Sequence, residues 1–276
     1  LYQVKTNTNY KCHNCGASMS FNNFIKQIDP TLHKQYTMEK FKEGYTGKNF
    51  VVEEPKLEFK KPVFKKELDL PRASEVPIAK EYLEKRMLDP TKFYFAKKFR
   101  TWVNSKKRTF DSVQKDESRI IIPMYDTERN LIGFQGRALG PNFVKYITVM
   151  LNDDAPKVFG LEQIDKTKTV YVTEGPFDST FIRNSIAMCG ADGDVRGWGV
   201  SRPVWVYDNE PRSSEILKRI ESTIDRGECV VIWPQNIKEK DINDMVLSKY
   251  DIMSILELNT YSGLEAKVKF NNWKKV

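Results

Sequence analysis

Acidic residues fall into three short clusters in the second half of this chain, and each cluster follows an apolar run. The clusters are Glu174 with Asp178, Asp208 with Glu210, and Asp241 with Asp244. The runs before them lie at 170–173, 204–207 and 230–233, the last separated from its acids by a short basic loop. In open parallel sheets the functional crevice lies outside the carboxyl ends of the strands. Carboxylates gathered there predict Mg²⁺ held over a phosphoryl-transfer centre, because Mg²⁺ prefers oxygen ligands.

Each of these acids also has a purely structural interpretation. Pro176 suits the first position of a helix, and Asp178 would then complement the helix dipole. The Asp208 cluster could be a loop ahead of a helix capped by Ser213, and Asp241 could cap the helix that follows it. If the three clusters were only unrelated helix caps, nothing would require them to lie at the same edge of one sheet. The joint interpretation as a metal site is therefore favoured, and the number of carboxylates suits two ions.

Hydrophobic periodicity places the acidic clusters in an α/β unit. From residue 170 onward strand-like and helix-like segments alternate, which predicts a mostly parallel sheet. The predicted strands are 170–174, 186–189, 204–208 and 229–233, and the predicted helices are 177–185, 214–225 and 242–249. Ahead of this unit, a helix near 78–87 and a strand pair at 120–123 and 131–134 predict an α+β region. The expected fold class is thus α/β combined with α+β.

The N-terminal part carries a Cys-x-x-Cys pair, Cys12 and Cys15, which is typical of one half of a zinc ribbon. A structural zinc needs four ligands, and only His13 and His33 lie nearby, so the site is incomplete; an incidental pair is the alternative. The segment 21–28 has helical spacing, and prolines alternate with charges in a predicted linker. The expected domains are a partial zinc-ribbon module at 1–50, the linker at 51–71, an α+β subdomain at 72–165, the α/β domain at 166–248 and a helical tail at 249–276.

Composition points to an anionic partner. Of 276 residues, 40% are hydrophobic and 30% are charged, which is ordinary for a protein with a packed core. The net charge of +8 makes nucleic acid the first candidate partner. No apolar stretch approaches the roughly 18 residues of a membrane span, and no secretory segment opens the chain at Leu1, so no membrane partner is expected. Cys189 and Cys229 lie in strand-like runs and are interpreted as buried reduced thiols, which fits a cytoplasmic location.

Residues 91–108 mix cations with aromatic side chains. Such a mixture can stack single-stranded bases on its rings and hold phosphates with its cations. The alternative is that the aromatic side chains belong mainly to the core while the cations lie on the solvent-exposed face. This alternative is favoured.

The acidic motifs resemble those of the Toprim domain, which is shared by bacterial-type primases, type IA and II topoisomerases, recombination mediators and some nucleases. Upstream segments resemble, in order, the N-terminal half of the bacterial-type primase catalytic core: R-I-I-I-P at 119–123, I-G-F-Q-G-R-A-L at 132–139, K-Y at 145–146 and K-V-F-G-L at 157–161. The similarity to primases of T-even-like tailed phages is closer still, on Y-V-T-E-G-P-F-D-S at 171–179, V-W-V-Y-D-N-E-P-R at 204–212 and K-D-I-N-D-M at 240–245. The resemblance covers most of the chain from residue 10 onward.

This resemblance implies roles for the acids. Glu174 is implied to be a metal ligand or an acid/base, and Asp208, Glu210 and the third cluster are implied to carry the ions. Glu210 departs from the wider family, in which the second motif is usually Asp-x-Asp. The implied catalytic residues are Glu174, Asp208 and Glu210, and the implied Mg²⁺ ligands are Glu174, Asp178, Asp208, Glu210, Asp241 and Asp244.

Basic residues also match family positions that line the groove between two catalytic subdomains. They are Arg119, Arg137, Lys145 and Lys157. The resemblance implies that they hold template and nucleotide phosphates, which Arg137 can do bidentately. The alternative is that scattered cations on a protein of net charge +8 are simply solvated surface.

The resemblance implies a DNA primase, which makes short RNA primers on a single-stranded DNA template from ribonucleotides, with two Mg²⁺ ions and a replicative ring helicase as partner. It also implies that a second pair of zinc ligands precedes Leu1 and completes the site of Cys12 and Cys15. Two other classes stay open: a non-catalytic recombination mediator that shares the Toprim scaffold and a zinc module, and a Toprim nuclease. The full acidic set together with the upstream motifs favours the primase.

Overall fold

The computed structural model describes residues 1–4, 7–12, 17–43, 45–46, 50–51, 68–140, 144–190 and 195–275. Contacts divide the chain into two compact units, Leu1–Pro62 and Val63–Val276. The cysteine pair belongs to the first unit, and all of the predicted acidic and basic site residues belong to the second. In the ranges described, no helix is long and apolar enough to cross a membrane.

Within the described residues, the first unit contains small antiparallel sheets and two helices. Its elements are β1 (Tyr2–Val4), β2 (Asn7–Lys11), β3 (Ser18–Ser20), α1 (Phe21–Ile28), α2 (Pro30–Lys42), β4 (Tyr45–Thr46) and β5 (Phe50–Val51). Helix α1 begins where it does because the Ser20 hydroxyl accepts a hydrogen bond from the backbone N–H of Asn23. The predicted helix at 21–28 is confirmed, and its Phe24 stacks on Tyr10 of β2.

The α+β region opens the second unit with an antiparallel sheet of four strands in sequence order. Its elements are α3 (Pro77–Glu84), β6 (Tyr94–Ala96), α4 (Phe99–Lys106), β7 (Arg119–Tyr125), β8 (Leu131–Ala138) and β9 (Tyr146–Met150). Strands β7 and β8 form the predicted hairpin, which is longer than expected. The Asp126 carboxylate holds its turn by accepting hydrogen bonds from the backbone N–H groups of Glu128 and Asn130.

The aromatic side chains of the basic segment 91–108 lie mainly in the core, as favoured from the sequence. Phe93 and Phe99 are fully buried and Phe95 is almost so, whereas the neighbouring Lys97 and Lys98 are exposed. Phe93 and Phe95 pack on one face of the four-stranded sheet with Ile120 and Ile122, and Phe99 packs on the other face with Ile121.

A six-stranded sheet in the order β10-β12-β11-β13-β14-β15 follows. Its strands are β10 (Val158–Phe159), β11 (Thr169–Thr173), β12 (Ser185–Met188), β13 (Arg202–Val206), β14 (Cys229–Val231) and β15 (Thr260–Tyr261). Its helices are α5 (Pro176–Ser179), α6 (Ser214–Asp225), α7 (Ile242–Leu247), α8 (Ile252–Leu258) and α9 (Gly263–Trp273). The four central strands are parallel and the two edge strands antiparallel, so the predicted fold class is confirmed.

Two helices packed on this sheet show how far local sequence patterns predict helix bounds. Helix α6 has its predicted bounds, with a Ser213 cap and an apolar face of Ile216, Ile220 and Ile224 packed on the sheet. The prediction of a helix at 177–185 was wrong in length, because α5 ends at Ser179. The N–H groups that follow bond to carbonyls three residues back, and the chain reverses at Asn184, which has a φ of 52°.

Candidate active site

Glu174 and Asp208 lie at the same edge of the parallel sheet. Strands β11 and β13 are neighbours whose last register pair is Thr173 with Val206, so the residues after them leave the sheet side by side. Glu174 follows β11 directly, and Asp208 follows β13 after the single residue Tyr207. The first two acidic clusters therefore meet at the carboxyl edge.

Asp178 is held within the short helix α5, just after Glu174. Gly175 makes room for it, because a Cβ at position 175 would lie 2.8 Å from the Asp178 carboxylate. One carboxylate oxygen accepts a hydrogen bond of 3.0 Å from the backbone N–H of Asn243, at the start of α7. Burial raises the pKa of Asp178 to about 7, and the charge of Asp241 adds to the shift. The Asn243 contact connects the first acidic cluster to the third.

The loop at 232–240 carries the third cluster back to the same edge. Asn209 anchors this loop, since its backbone N–H donates to the Lys240 carbonyl at 2.7 Å and its side-chain amide donates to two further loop carbonyls. Asp241 then caps α7 by accepting a 2.8 Å hydrogen bond from the backbone N–H of Asp244. The helix-cap interpretation of Asp241 is thus correct, and it coexists with a position beside the other acids.

Burial and mutual repulsion act together on these carboxyl groups. Burial raises the pKa of Asp208 to about 8, and the charges of Asp178, Glu174 and Asp241 contribute to the increase. Burial also raises the pKa of Glu174, although the neighbouring Arg219 opposes this change. Buried acids that repel one another bind protons strongly, and for the same reason they favour any cation that can take the place of the proton.

The donor set of this edge fits Mg²⁺. The side chains offer carboxylate oxygens, the ligands that Mg²⁺ prefers, and Oε1 of Glu174 is buried without a hydrogen-bond partner. No group of three or more His, Cys, Asp or Glu side chains among the described residues is already arranged to hold a metal ion. Two of the acids instead contact cations: Glu174 lies 3.4 Å from Arg219, and Glu210 lies 3.0 Å from Lys240.

Sequence reasoning missed Arg219 and Lys240 as parts of this site. For each of these two residues the sequence contains one indication that it lies near an acid. Arg219 follows Glu215 by four residues in a predicted helix, a spacing that places both on one face, and Lys240 directly precedes Asp241. What the sequence does not reveal is that the helix α6 turns this face toward Glu174.

Arg119, for which phosphate binding is predicted, lies inside the α+β region, and that role stays a prediction. Its guanidinium is fully buried, pairs with Glu117, and donates hydrogen bonds to the carbonyls of Gly136, Lys145 and Val144. These hydrogen bonds use all of the guanidinium nitrogens, and they hold β7 against β8 and against the segment that leads into β9. Arg119 therefore stabilises the fold.

Arg137, Lys145 and Lys157 are placed differently from one another. Arg137 is half-buried, with its guanidinium 4.6 Å from the ring centroid of Tyr146 and 6.0 Å from that of Phe177 in α5. It therefore lies between the α+β region and the acidic edge. Lys145 is exposed directly before β9, and Lys157 is exposed directly before β10.

The described part of the first unit holds one residue of the predicted zinc pair. Cys12 is half-buried, and its backbone N–H donates to the Ala17 carbonyl at 2.8 Å. Cys15 and His13 lie outside the described residues, and His33 makes a 3.1 Å hydrogen bond with the Asn22 side chain. The zinc site stays a prediction.

Comparison with solved structures defines the class of this fold. The Escherichia coli primase catalytic core superposes with a TM-score of 0.53 at 19% identity, over 74% of this chain and 80% of that one. The RNA polymerase domain of Mycobacterium tuberculosis primase, in complex with a double-stranded DNA oligomer with a 6-nucleotide overhang, gives 0.54 at 17% identity, over 70% and 76%. The second unit thus has the fold of bacterial-type primase catalytic cores.

Sequence comparison then gives the family. A DNA primase of Enterobacteria phage T4 is 34% identical over an alignment of 285 residues. The alignment covers 97% of this chain and 82% of that protein. No protein-family profile matches the chain. The chain belongs to the DNA primase family, and the resemblance found in its sequence motifs is confirmed.

Proposed function

We propose that this protein synthesises short RNA primers on single-stranded DNA from ribonucleotides, by nucleotidyl transfer at the acidic edge. The observation that carries the proposal is the gathering of Glu174, Asp178 and Asp208 at the ends of neighbouring strands, where burial raises the pKa of each. A protein keeps such a costly arrangement where chemistry needs it. Membership of the DNA primase family supports the same activity.

In this proposal Glu174, Asp208 and Glu210 are the catalytic acids, and Asp178, Asp241 and Asp244 complete the set of oxygen donors. Two Mg²⁺ ions bound there would stabilise the attacking and leaving oxygens of an in-line displacement at the α-phosphate. The chain's own contribution is to fix the carboxylates by strand ends and helix starts. Asn243 and Asn209 keep the third cluster against the first two.

Phosphate binding is assigned to Arg137, Lys145 and Lys157. The Arg137 guanidinium is flanked by aromatic rings and stands close to α5, so it can hold a phosphate bidentately beside the acids. The two exposed lysines supply screened, longer-range attraction for the template strand. Arg119 is buried, so a phosphate could reach it only if its ion pair with Glu117 opened.

The remaining assignments follow the family pattern. We propose that Cys12 and Cys15 hold Zn²⁺ with ligands from outside the present chain, and that a replicative ring helicase is a partner in the cytoplasm of the host cell. The five-part division into a zinc module at 1–50, a linker at 51–71, an α+β subdomain at 72–165, a Toprim domain at 166–248 and a C-terminal tail is proposed with them.

The test is incubation with single-stranded DNA, Mg²⁺ and labelled ribonucleotides, followed by separation of the products by size. A ladder of short labelled RNA that is absent without template supports the primase. Shortening of the DNA would instead indicate a nuclease, and DNA binding with neither product would indicate a recombination mediator. Asp208→Asn serves as the matched control, since it removes a single charge from the acidic edge.

A further inference from the structure

Arg219 stands between two carboxylates in the middle of α6. Its Nη1 lies 3.4 Å from Oε2 of Glu174, and its Nη2 lies 3.0 Å from Oε1 of Glu215. Glu215, one helical turn earlier, is 72% exposed. The contact with Glu174 is the longer of the two, and its side chains are only 31% and 29% exposed, whereas the contact with Glu215 is shorter. Arg219 can therefore release Glu174 while Glu215 keeps it beside the site.

Lys240 has the same arrangement at the second cluster. Its Nζ lies 3.0 Å from Oε1 of Glu210, and the two side chains are 55% and 35% exposed. Its backbone is held in place, because the Lys240 carbonyl accepts a 2.7 Å hydrogen bond from the N–H of Asn209. The side chain can change partner while the backbone stays next to Asp208 and Glu210.

Both cations contact carboxylates that the proposed function assigns to Mg²⁺. A divalent ion and a side-chain cation compete for the same oxygens, and Mg²⁺ accepts only a strict octahedral arrangement of ligands. With Mg²⁺ held there, Arg219 would lose its contact with Glu174 and Lys240 its contact with Glu210, which would leave both cations able to contact a nucleotide's phosphates. A guanidinium matches phosphate bidentately, and an ammonium binds it as a point charge.

We infer that Arg219 and Lys240 are exchangeable counter-ions, which neutralise Glu174 and Glu210 before Mg²⁺ binds and then transfer to phosphate oxygens of the incoming ribonucleoside triphosphate. The inference rests on the proposed function and adds an order of events to it. Before Mg²⁺ binds, both cations are paired with carboxylates and are not available to the nucleotide. After Mg²⁺ binds, the same edge presents two cations, so metal binding prepares the nucleotide site.

The experiment measures two affinities on the same variants. Mn²⁺ binding without nucleotide is followed by electron paramagnetic resonance, and binding of a non-hydrolysable ribonucleoside triphosphate is followed by fluorescence at saturating Mg²⁺. The variants are Arg219→Met, Lys240→Met and the conservative Arg219→Lys. Lys218→Met is the matched control, since Lys218 is exposed on the same helix.

Removing either counter-ion should move the two affinities in opposite directions. Mn²⁺ should bind about twofold to fivefold more tightly, because a competing exposed ion pair is gone. The nucleotide should bind about tenfold more weakly, because a charge-assisted hydrogen bond is lost. Arg219→Lys should recover part of the nucleotide affinity, and Lys218→Met should leave both affinities as in the parent.

Two results would overturn the inference while the proposed function stands. One is unchanged or weaker Mn²⁺ binding in both folded Met variants of a parent that makes primers. The other is tighter Mn²⁺ binding with unaltered nucleotide affinity, which would refute the transfer to phosphate. If the parent itself makes no primers, or if Asp208→Asn leaves Mn²⁺ binding intact, the proposed function fails instead.

Discussion

Replacing Asp208 with asparagine should stabilise the metal-free protein, and the gain should grow with pH. The folded state raises the pKa of this carboxyl from an ordinary value of 3.8 to about 8 through burial and through the charges of Asp178, Glu174 and Asp241. Between those two values the folded protein binds more protons than the unfolded chain, so its stability falls as the pH rises. Asparagine cannot ionise, so Asp208→Asn escapes this loss.

The size of the effect follows from the shift. A change of about four pKa units, at about 1.4 kcal/mol each, sets an upper limit on the order of 5 kcal/mol for ionising Asp208 in the folded state. Part of the gain is offset because the asparagine amide is itself a polar group that is costly to bury without hydrogen-bond partners. We therefore expect a gain of about 2 kcal/mol at pH 8, which raises the thermal midpoint by roughly 4–8 °C in a chain of this size, and no gain near pH 4.

The assay is thermal unfolding in EDTA at pH 4, 6 and 8, repeated with Mg²⁺. Added Mg²⁺ should stabilise the parent more than Asp208→Asn, and the difference between them should shrink or reverse. Asp165→Asn is a control in which the change in stability should have the opposite sign. The Thr167 hydroxyl, together with Lys168, lowers the pKa of Asp165 to about 2, so its ionised form stabilises the fold. Its loss should destabilise the protein at pH 8. A folded Asp208→Asn that is no more stable than the parent at pH 8 in EDTA would refute the claim that repulsion and burial strain this site.

Three further outcomes are expected. Glu174→Gln should abolish primer synthesis while leaving the thermal midpoint within a few degrees of the parent, and full activity in this variant would remove Glu174 from the mechanism. Lys145→Ala should weaken binding to single-stranded DNA and lower the magnitude of the slope of log affinity against log salt concentration by about 0.7, as a salt titration can check. Arg119→Ala should instead lower the free energy of unfolding by about 3–5 kcal/mol, because it breaks a buried ion pair, as urea unfolding can check. The protein extended upstream of Leu1 should contain about one zinc per chain, and Cys12→Ser should release it, as elemental analysis can check.

Short-range signals predicted the elements of the second unit well. The bounds of α6 follow from a serine cap and an isoleucine every four residues, and β11 and β13 follow from short β-branched and aromatic runs. The length of α5 could not be predicted in the same way. Its end depends on the Asn184 side chain, which donates to the carbonyls of Asp165 and Thr169, two residues far away in sequence.

Motif matching selected the acidic residues, but it did not indicate that Arg119 is buried in an ion pair with Glu117. A basic residue at the start of a strand looks the same in sequence whether it faces a substrate or a carboxylate of its own chain. One local signal existed: Glu117 lies two residues earlier, and in an extended chain residues i and i+2 point to the same side. The burial of this pair depends on strand β8 and on the segment before β9, which only the folded structure brings together.

The residues that the sequence identified and those that it missed differ in how they act. Glu174, Asp178 and Asp208 belong to short motifs with fixed spacing, because their carboxylates must meet at one sheet edge. Arg219 and Lys240 act through these carboxylates, so any position that can reach one of them would serve, and no spacing is demanded. Because an acidic edge with raised pKa values cannot stay fully ionised without cations, the counter-ions are as necessary to it as the acids, and they have to be found from the structure.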